Sequence, residues 1–412
     1  MASPTDRPKL RKLDRSVLHR GDEVLVVLRD PFGISEPAAF AQEATEVLDM
    51  LDGQRTTAQI RQSLLLRGRM SLSLEDVQGL VAELGDAGLL DDERFRSKWD
   101  AARREFMGND VRTPRLAGVL YPEDPQALAA TLQTALPAPQ ERRLQGSELI
   151  GALCSYQPFE GRAAALLEAT LQELPPPQDI DLIVMLGTDH HPGRLPFAIT
   201  DKGYGTPLGD LRPAPDLVAA LERRLPWIRR EELRHREAIS LEMGAVVLHH
   251  LYGADCPPVL PVLCGQAALL TGEDEAMTDA FLATMEHVLE GKRVFWWISA
   301  ELSHAGPAFA RPALGAAELR SLAERDLACL ESLCAGRPEQ FVARCMEADD
   351  TLGRPSGAAA LSTMARLLPI GYRTELIDYV TAKATGPDEG WVGLVGMRFF
   401  QPVGLDDDID DE

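Results

Sequence analysis

The sequence predicts an α/β fold, with helices layered on both faces of a sheet, preceded by a small winged-helix-like α+β module. Three observations predict this. The chain has 412 residues, more than the roughly 100–200 of one ordinary domain. From residue 149 onward, short apolar runs alternate with helical patterns, which requires a sheet covered by helices. Before residue 107 a single β-branched run is followed by helical stretches. The expected division is a module over residues 1–106, a linker at 107–111, the α/β domain over 112–403 and an acidic tail at 404–412.

Composition sets the exclusions. Hydrophobic residues make 45% and charged residues 26% of the chain, the proportions of a soluble globular protein. Lys and Arg number 42 against 64 Asp and Glu, a net charge of −22. Such a surface repels nucleic acid and anionic membrane unless cations gather on one face. Part of the excess lies in Asp406, Asp407, Asp408, Asp410, Asp411 and Glu412, which read as a disordered, solubilising end. No apolar run reaches the ~18 residues of a membrane-spanning helix. The basic start (Arg7, Lys9, Arg11, Lys12, Arg15, Arg20) has no apolar stretch behind it, so no secretory signal is expected. The 6 cysteines form no CxxC pair and read as reduced thiols in a cytoplasm.

In the front module, residues 24–28 are a β-branched strand ended by the turn Asp30-Pro31-Phe32-Gly33. A helix is expected over 37–51, broken by Asp52-Gly53. Thr56 with Gln59 has capping-box spacing and starts a second helix. Ser73 with Asp76 starts a third, with Leu74, Val77, Val81 and Leu84 at helical spacing. Gly88-Leu89-Leu90 ends it, and a charged helix runs to about Phe106. Residues 71–92 hold Glu75, Asp76, Glu83, Asp86, Asp91 and Asp92 without a Lys or Arg, whereas a helix reading DNA needs cations toward phosphate. The phrases Leu51-Asp52-Gly53-Gln54-Arg55-Thr56 and Ala87-Gly88-Leu89-Leu90 resemble the PqqD-like family over about residues 16–95. That resemblance implies a peptide or protein ligand beside a radical SAM enzyme. A purely structural cap is the competing reading.

In the α/β part the expected strands are residues 149–153, 181–186, 259–264, 293–299, 374–381 and 392–400. The expected helices are 162–173, 214–223, 239–251, 273–289, 316–334, 338–347 and 358–367. In open α/β sheets, ligands bind at the carboxyl ends of strands. Three such ends carry a thiol or imidazole: Cys154 closes the first strand, His190-His191 follow the second, and His304 follows the fourth. Neutral imidazole and thiolate hold Zn, Cu or Fe, and both also serve as acid–base or nucleophilic groups. A hydrogen-bonded core role is the plainer reading of any one of them. His249-His250 sit at a helix C-terminus and read as structural. His19, His235 and His287 read as surface residues. The remaining cysteines read as core fillers.

Several ordered phrases over residues 112–400 resemble the Memo family, protein B of AmmeMemoRadiSam systems. Pro114-Arg115-Leu116-Ala117-Gly118-Val119-Leu120-Tyr121-Pro122 looks like its opening P-x-x-A-G-x-F/W-Y-P. Gly187-Thr188-Asp189-His190-His191 looks like G-x-S-H-H. Thr206-Pro207-Leu208-Gly209-Asp210-Leu211 matches T-P-L-G-D-L. Ser240-Leu241-Glu242-Met243 resembles the end of H-S-L-E-x-Q. Val259-Leu260-Pro261-Val262-Leu263-Cys264-Gly265 resembles I-x-P-V-L-V-G, and Ser299-Ala300-Glu301-Leu302-Ser303-His304 resembles S-S-D-L-S-H. The resemblance implies a layered α/β/α domain similar to class III extradiol dioxygenases, which use a non-haem metal. It also implies two partners, a radical SAM enzyme and the third component of the system.

The departures bear on function. Leu153-Cys154-Ser155-Tyr156-Gln157 falls on the family's P-H-A-G-Y, so Cys154 replaces a metal histidine. Ile239 falls on the His of H-S-L-E, and Leu352, before Gly353-Arg354, on the Cys of C-G-R. Of the three usual ligands only His191 is unchanged. Two readings follow. In one, Cys154 and His191 ligate Fe, Cu or Zn weakly, and His190, His304 or Glu242 complete a rearranged, dioxygenase-like redox site. In the other, the pocket has lost its metal and the chain is a binding or accessory component.

Overall fold

The computed structural model describes residues 7–20, 23–67, 72–137, 149–190, 195–309, 311–347, 353–384 and 389–402. The chain divides into two compact units, Met1–Asn109 and Asp110–Glu412.

The first unit opens with β1 (Asp14–Arg20), β2 (Glu23–Arg29) and β3 (Ala38–Ala41), an antiparallel sheet in that order. Four helices follow: α1 (Thr45–Leu48), α2 (Thr57–Leu66), α3 (Leu74–Asp86) and α4 (Glu93–Gly108). The turn after β2 is built on Asp30. Its carboxylate accepts the backbone N–H of Phe32, Ile34 and Ser35 at 3.0–3.1 Å and pairs with Arg11 at 2.9 Å. Gly33 supplies the left-handed residue, with φ 58°. The helix expected over 37–51 is mostly absent. Pro37 disfavours a helical residue before it, and Ala38–Ala41 instead pair with Leu25–Leu28 of β2. A 3₁₀ turn over Gln42–Ala44 and α1, held by buried Val47 and Leu48, are what remain of it. Both expected capping boxes are present, Thr56 with Gln59 and Ser73 with Asp76. Val77, Val81 and Leu84 of α3 enter the module's core.

The second unit contains β4 (Val111–Arg112), α5 (Pro125–Ala135), β5 (Leu149–Cys154), α6 (Gly161–Thr170), β6 (Leu182–Thr188), β7 (Phe197–Ile199), β8 (Gly203–Thr206), β9 (Gly209–Leu211), α7 (Pro215–Arg224) and α8 (Ile239–Tyr252). It continues with β10 (Val259–Cys264), α9 (Glu273–Leu289), β11 (Val294–Ser299), β12 (His304–Ala305), α10 (Ala316–Cys334), α11 (Pro338–Glu347), α12 (Ala358–Leu367), β13 (Arg373–Lys383) and β14 (Trp391–Phe400). The main sheet runs β12-β14-β5-β11-β6-β10-β7, and β13 also pairs with β14. Strands β5, β11, β6 and β10 are parallel, while β7, β12, β13 and β14 join antiparallel. A small sheet, β4-β8-β9, stands apart from it.

Alternation along the parallel strands makes two cores. Leu182, Val184, Leu186, Trp296 and Ile298 pack with α7, α9, α10, α11 and α12. Ile183, Met185, Phe295 and Trp297 pack with α5, α6 and α8. Helix α8 lies especially close to the sheet. A Cβ on Gly187 would strike Leu241 and Ser240, and one on Gly244 would strike Trp297. The expected linker is largely taken up by structure: α4 runs to Gly108, and Val111 pairs with Gly203. Among the described residues, no helix is long and apolar enough to cross a membrane. The acidic tail lies outside the described residues.

Candidate functional site

The parallel strands end together at Cys154, Thr188, Cys264 and Ser299. The residues after these ends share one edge of the sheet. Ala300 N–H donates to Cys154 O at 3.2 Å, and Thr188 Oγ1 donates to Ser299 O at 3.2 Å. The segment after residue 352 also runs here. Ser356 N–H donates to Leu302 O at 3.0 Å and Gly357 N–H to Glu301 O at 2.8 Å. Chain segments from four parts of the sequence thus meet at this edge.

Cys154 is buried, 3% exposed, among Ala152, Tyr156 and other apolar neighbours. Burial pushes its thiol well above the ordinary range, so it is protonated at neutral pH. A protonated thiol is neither nucleophile nor metal ligand.

Two residues on, Tyr156 turns its phenol inward, 6% exposed. Its hydroxyl is 2.7 Å from His190 Nε2. It also lies against the hydroxyls of Thr188 and Ser356 and the carboxylate of Glu301. Burial first, and then the Glu301 charge, raise the phenol far above its usual range. Glu301 is 1% exposed. Gln157 Nε2 donates to its Oε1 at 2.6 Å, and His304 Nε2 is 3.2 Å from its Oε2. His304 Nδ1 faces Leu302 O at 3.1 Å. A carbonyl only accepts, so Nδ1 carries hydrogen. Nε2 faces the Glu301 carboxylate, so both ring nitrogens of His304 are engaged. The His190 and His304 rings stand 6.4 Å apart.

The structure therefore brings His190 and His304 together with Tyr156 and Glu301, at the same sheet edge where Cys154 ends its strand. Glu242 is engaged elsewhere. Its fully buried carboxylate takes the Arg112 guanidinium, the N–H of Arg115 at 2.9 Å, the N–H of Leu116 at 2.8 Å and the Tyr121 hydroxyl at 2.5 Å. It anchors the opening segment of this unit, and none of these bonds reaches the histidines. His191 and Leu352 lie outside the described residues.

His235, expected at the surface, is fully buried instead. Tyr204 donates its hydroxyl to Nδ1 at 2.7 Å, and Nε2 donates to Ala198 O at 2.9 Å. Burial pulls its pKa down to about 3, so it is a neutral core residue. The loop after β6 is tied down by a buried pair between Asp189 and Arg234. Tyr156, Gln157 and Glu301 were not among the expected site residues. The signal for them was their place: polar side chains directly after strand ends.

The described donors do not by themselves assemble a metal site: His190 Nε2 is bonded to Tyr156, and both His304 nitrogens face oxygen atoms. Among the described residues, no group of three or more His, Cys, Asp or Glu stands at metal-ligating spacing. No chemical step is derived through a metal here.

Comparison with known proteins bears on the second unit. The family described as "Memo-like protein" matches residues 112–398. A MEMO1 family protein of Aquifex aeolicus is 24% identical over 307 residues, covering 74% of this chain and 78% of that protein. One from Archaeoglobus fulgidus is 24% identical over 290 residues, 70% of this chain and 99% of that protein. One from Desulfurococcus amylolyticus is 22% identical over 306 residues, again 70% and 99%. The ordered motifs, the mixed α/β sheet that carries them and a match over most of the chain lead to one conclusion: the chain belongs to the Memo family.

Proposed function

We propose that this chain is a cytoplasmic accessory component of an AmmeMemoRadiSam-type system, a protein B whose pocket has largely lost its metal chemistry and serves in binding. The observation that carries this reading is the state of Cys154. Where the family resemblance puts a metal histidine stands a buried cysteine, and the histidines at this sheet edge are held by Tyr156 and Glu301. The partners are a radical SAM enzyme and the third small component of the system. The front unit is a PqqD-like, winged-helix-like recruiting module for a peptide or protein. Its acidic α3 supports a protein ligand over nucleic acid. Similarity of the second unit to class III extradiol dioxygenases remains part of this proposal.

Metal analysis of the untagged protein after mild chelation tests the pocket. The expected result is well below one equivalent of Fe, Cu or Zn. A full equivalent of one metal makes the alternative the leading account: a redox enzyme with Cys154 and His191 as ligands. Partnership is tested by gel filtration with a radical SAM enzyme carrying its cluster. Co-elution is expected, and its loss on deleting the front unit would place recruitment there.

A further inference from the structure

We propose that the second unit holds a separate binding site, at the amino edge of its main sheet, for a small organic cation: an apolar or aromatic body carrying a protonated amine. The site lies at the opposite end of the strands from Cys154 and the histidines, and it does not depend on how that pocket is read. A cavity of about 750 Å³ opens where β5 and β11 begin, between the C-terminal end of α9 and the turn leading from α12 to β13. That volume lies within the roughly 300–1,000 Å³ of small-molecule pockets, and it is more than one side chain of a docked protein fills.

The floor of the cavity is apolar. Leu149, Ile150, Ile180, Leu289, Trp296 and Leu368 line it and each keep 4–9% of their surface exposed, whereas Ile183, Val184 and Ile298 deeper in the sheet keep 0%. The floor is thus the edge of the core, left open on one side. Ile370, also in the lining, is 99% exposed. Charge at the rim selects the ligand. The charged lining residues are Asp179, Glu286, Glu290, Lys292 and Arg293. Arg293 is committed: its guanidinium holds Asp181 at 2.8 Å and lies 3.9 Å from Asp179. Glu286 and Glu290 stand one helical turn apart at the C-terminal end of α9. Like charges at that spacing repel, and the carbonyl end of a helix disfavours carboxylates. Lys292 supplies only one compensating charge. Two local rules are broken at the mouth of one apolar cavity, and such breaches are expected at functional sites. An ammonium group bound there offsets both carboxylates and the helix end, while its apolar body covers the floor.

Two probes with one body and opposite charges test this, phenylbutylammonium and phenylbutyrate, titrated calorimetrically into the full chain at neutral pH and low salt. The ammonium is expected to bind about tenfold more tightly, because each exposed carboxylate contributes a few-fold at most. The preference should shrink with added salt. Glu286→Gln with Glu290→Gln should abolish it, and Glu286→Lys with Glu290→Lys should reverse it. Both residues are exposed, so the variants should keep the native circular dichroism spectrum. Equal affinity for the two probes overturns the proposal. So does an ammonium preference that survives the glutamine pair, which would place the cation elsewhere. Binding of neither probe at millimolar concentration overturns it as well.

Discussion

Glu242 shows how one residue type serves chemistry or architecture according to its neighbours. Its carboxylate has no exposed surface and is surrounded by donors from residues 112–121. Removing one partner of such a buried pair leaves the other charge uncompensated. Glu242→Ala should therefore destabilise the second unit by about 3–5 kcal/mol, read from urea denaturation. His235 makes the opposite kind of prediction. Folded, it protonates only near pH 3; unfolded, it does so near the ordinary ~6.5. Between those values the unfolded chain binds the extra proton, so this residue's share of stability is present above about pH 6.5 and lost as pH falls. The loss is roughly 1.4 kcal/mol per pH unit below ~6.5. Denaturation at pH 7, 6 and 5 should show His235→Gln falling less steeply than the native chain. At this scale the sequence was only half legible. It pointed to Cys154, His190 and His304 at strand ends; the two histidine rings stand 6.4 Å apart there, and Cys154 ends a strand at the same edge. It gave no sign that His235, within Arg234-His235-Arg236-Glu237, is buried, because a charged stretch reads as solvated until a turn folds it under Tyr204.

Elements were legible where an apolar period or an unbroken apolar run marked them. The seven helices of the second unit from α6 to α12 appear where their spacing predicts, with ends shifted by a few residues at most. The parallel strands β5, β6, β10 and β11 do likewise, because a strand buried on both faces is an unbroken apolar run. Strands of three or four residues, such as β7 to β9, offer no period to read. Helix α5 escaped notice although Asp124 caps it and Pro125 opens it. The stretch 37–51 misled because Ala and Glu favour helix locally, while pairing with β2 decided otherwise. Local signals held where the side chain itself closes the bond. Thr56→Ala and Ser73→Ala should each cost about 1 kcal/mol. Hydrogen exchange should show faster opening of the first turns of α2 and α3 respectively, with β5 and β6 unaffected.

On the scale of the whole molecule, charge and division into units govern what it meets. The net charge is −22, and α3 presents Glu75, Asp76, Glu83 and Asp86 without a cation. Electrophoretic shift at low salt should therefore show no duplex DNA binding. Tight binding that weakens steeply with added salt would contradict the protein-ligand reading of the front unit. The family match begins at residue 112, just after the boundary between the units at Asn109. The clasp between Arg112 and Glu242 spans 130 residues of chain. During synthesis, at roughly 5–20 residues per second, Arg112 leaves the ribosome on the order of ten seconds before its carboxylate exists. The front unit can close in that interval, since its hydrophobic core is made of its own residues. The Memo-like unit cannot: Arg112 stays without its carboxylate until α8 emerges, so a nascent chain stalled before residue 242 should carry a folded first unit and an open second one.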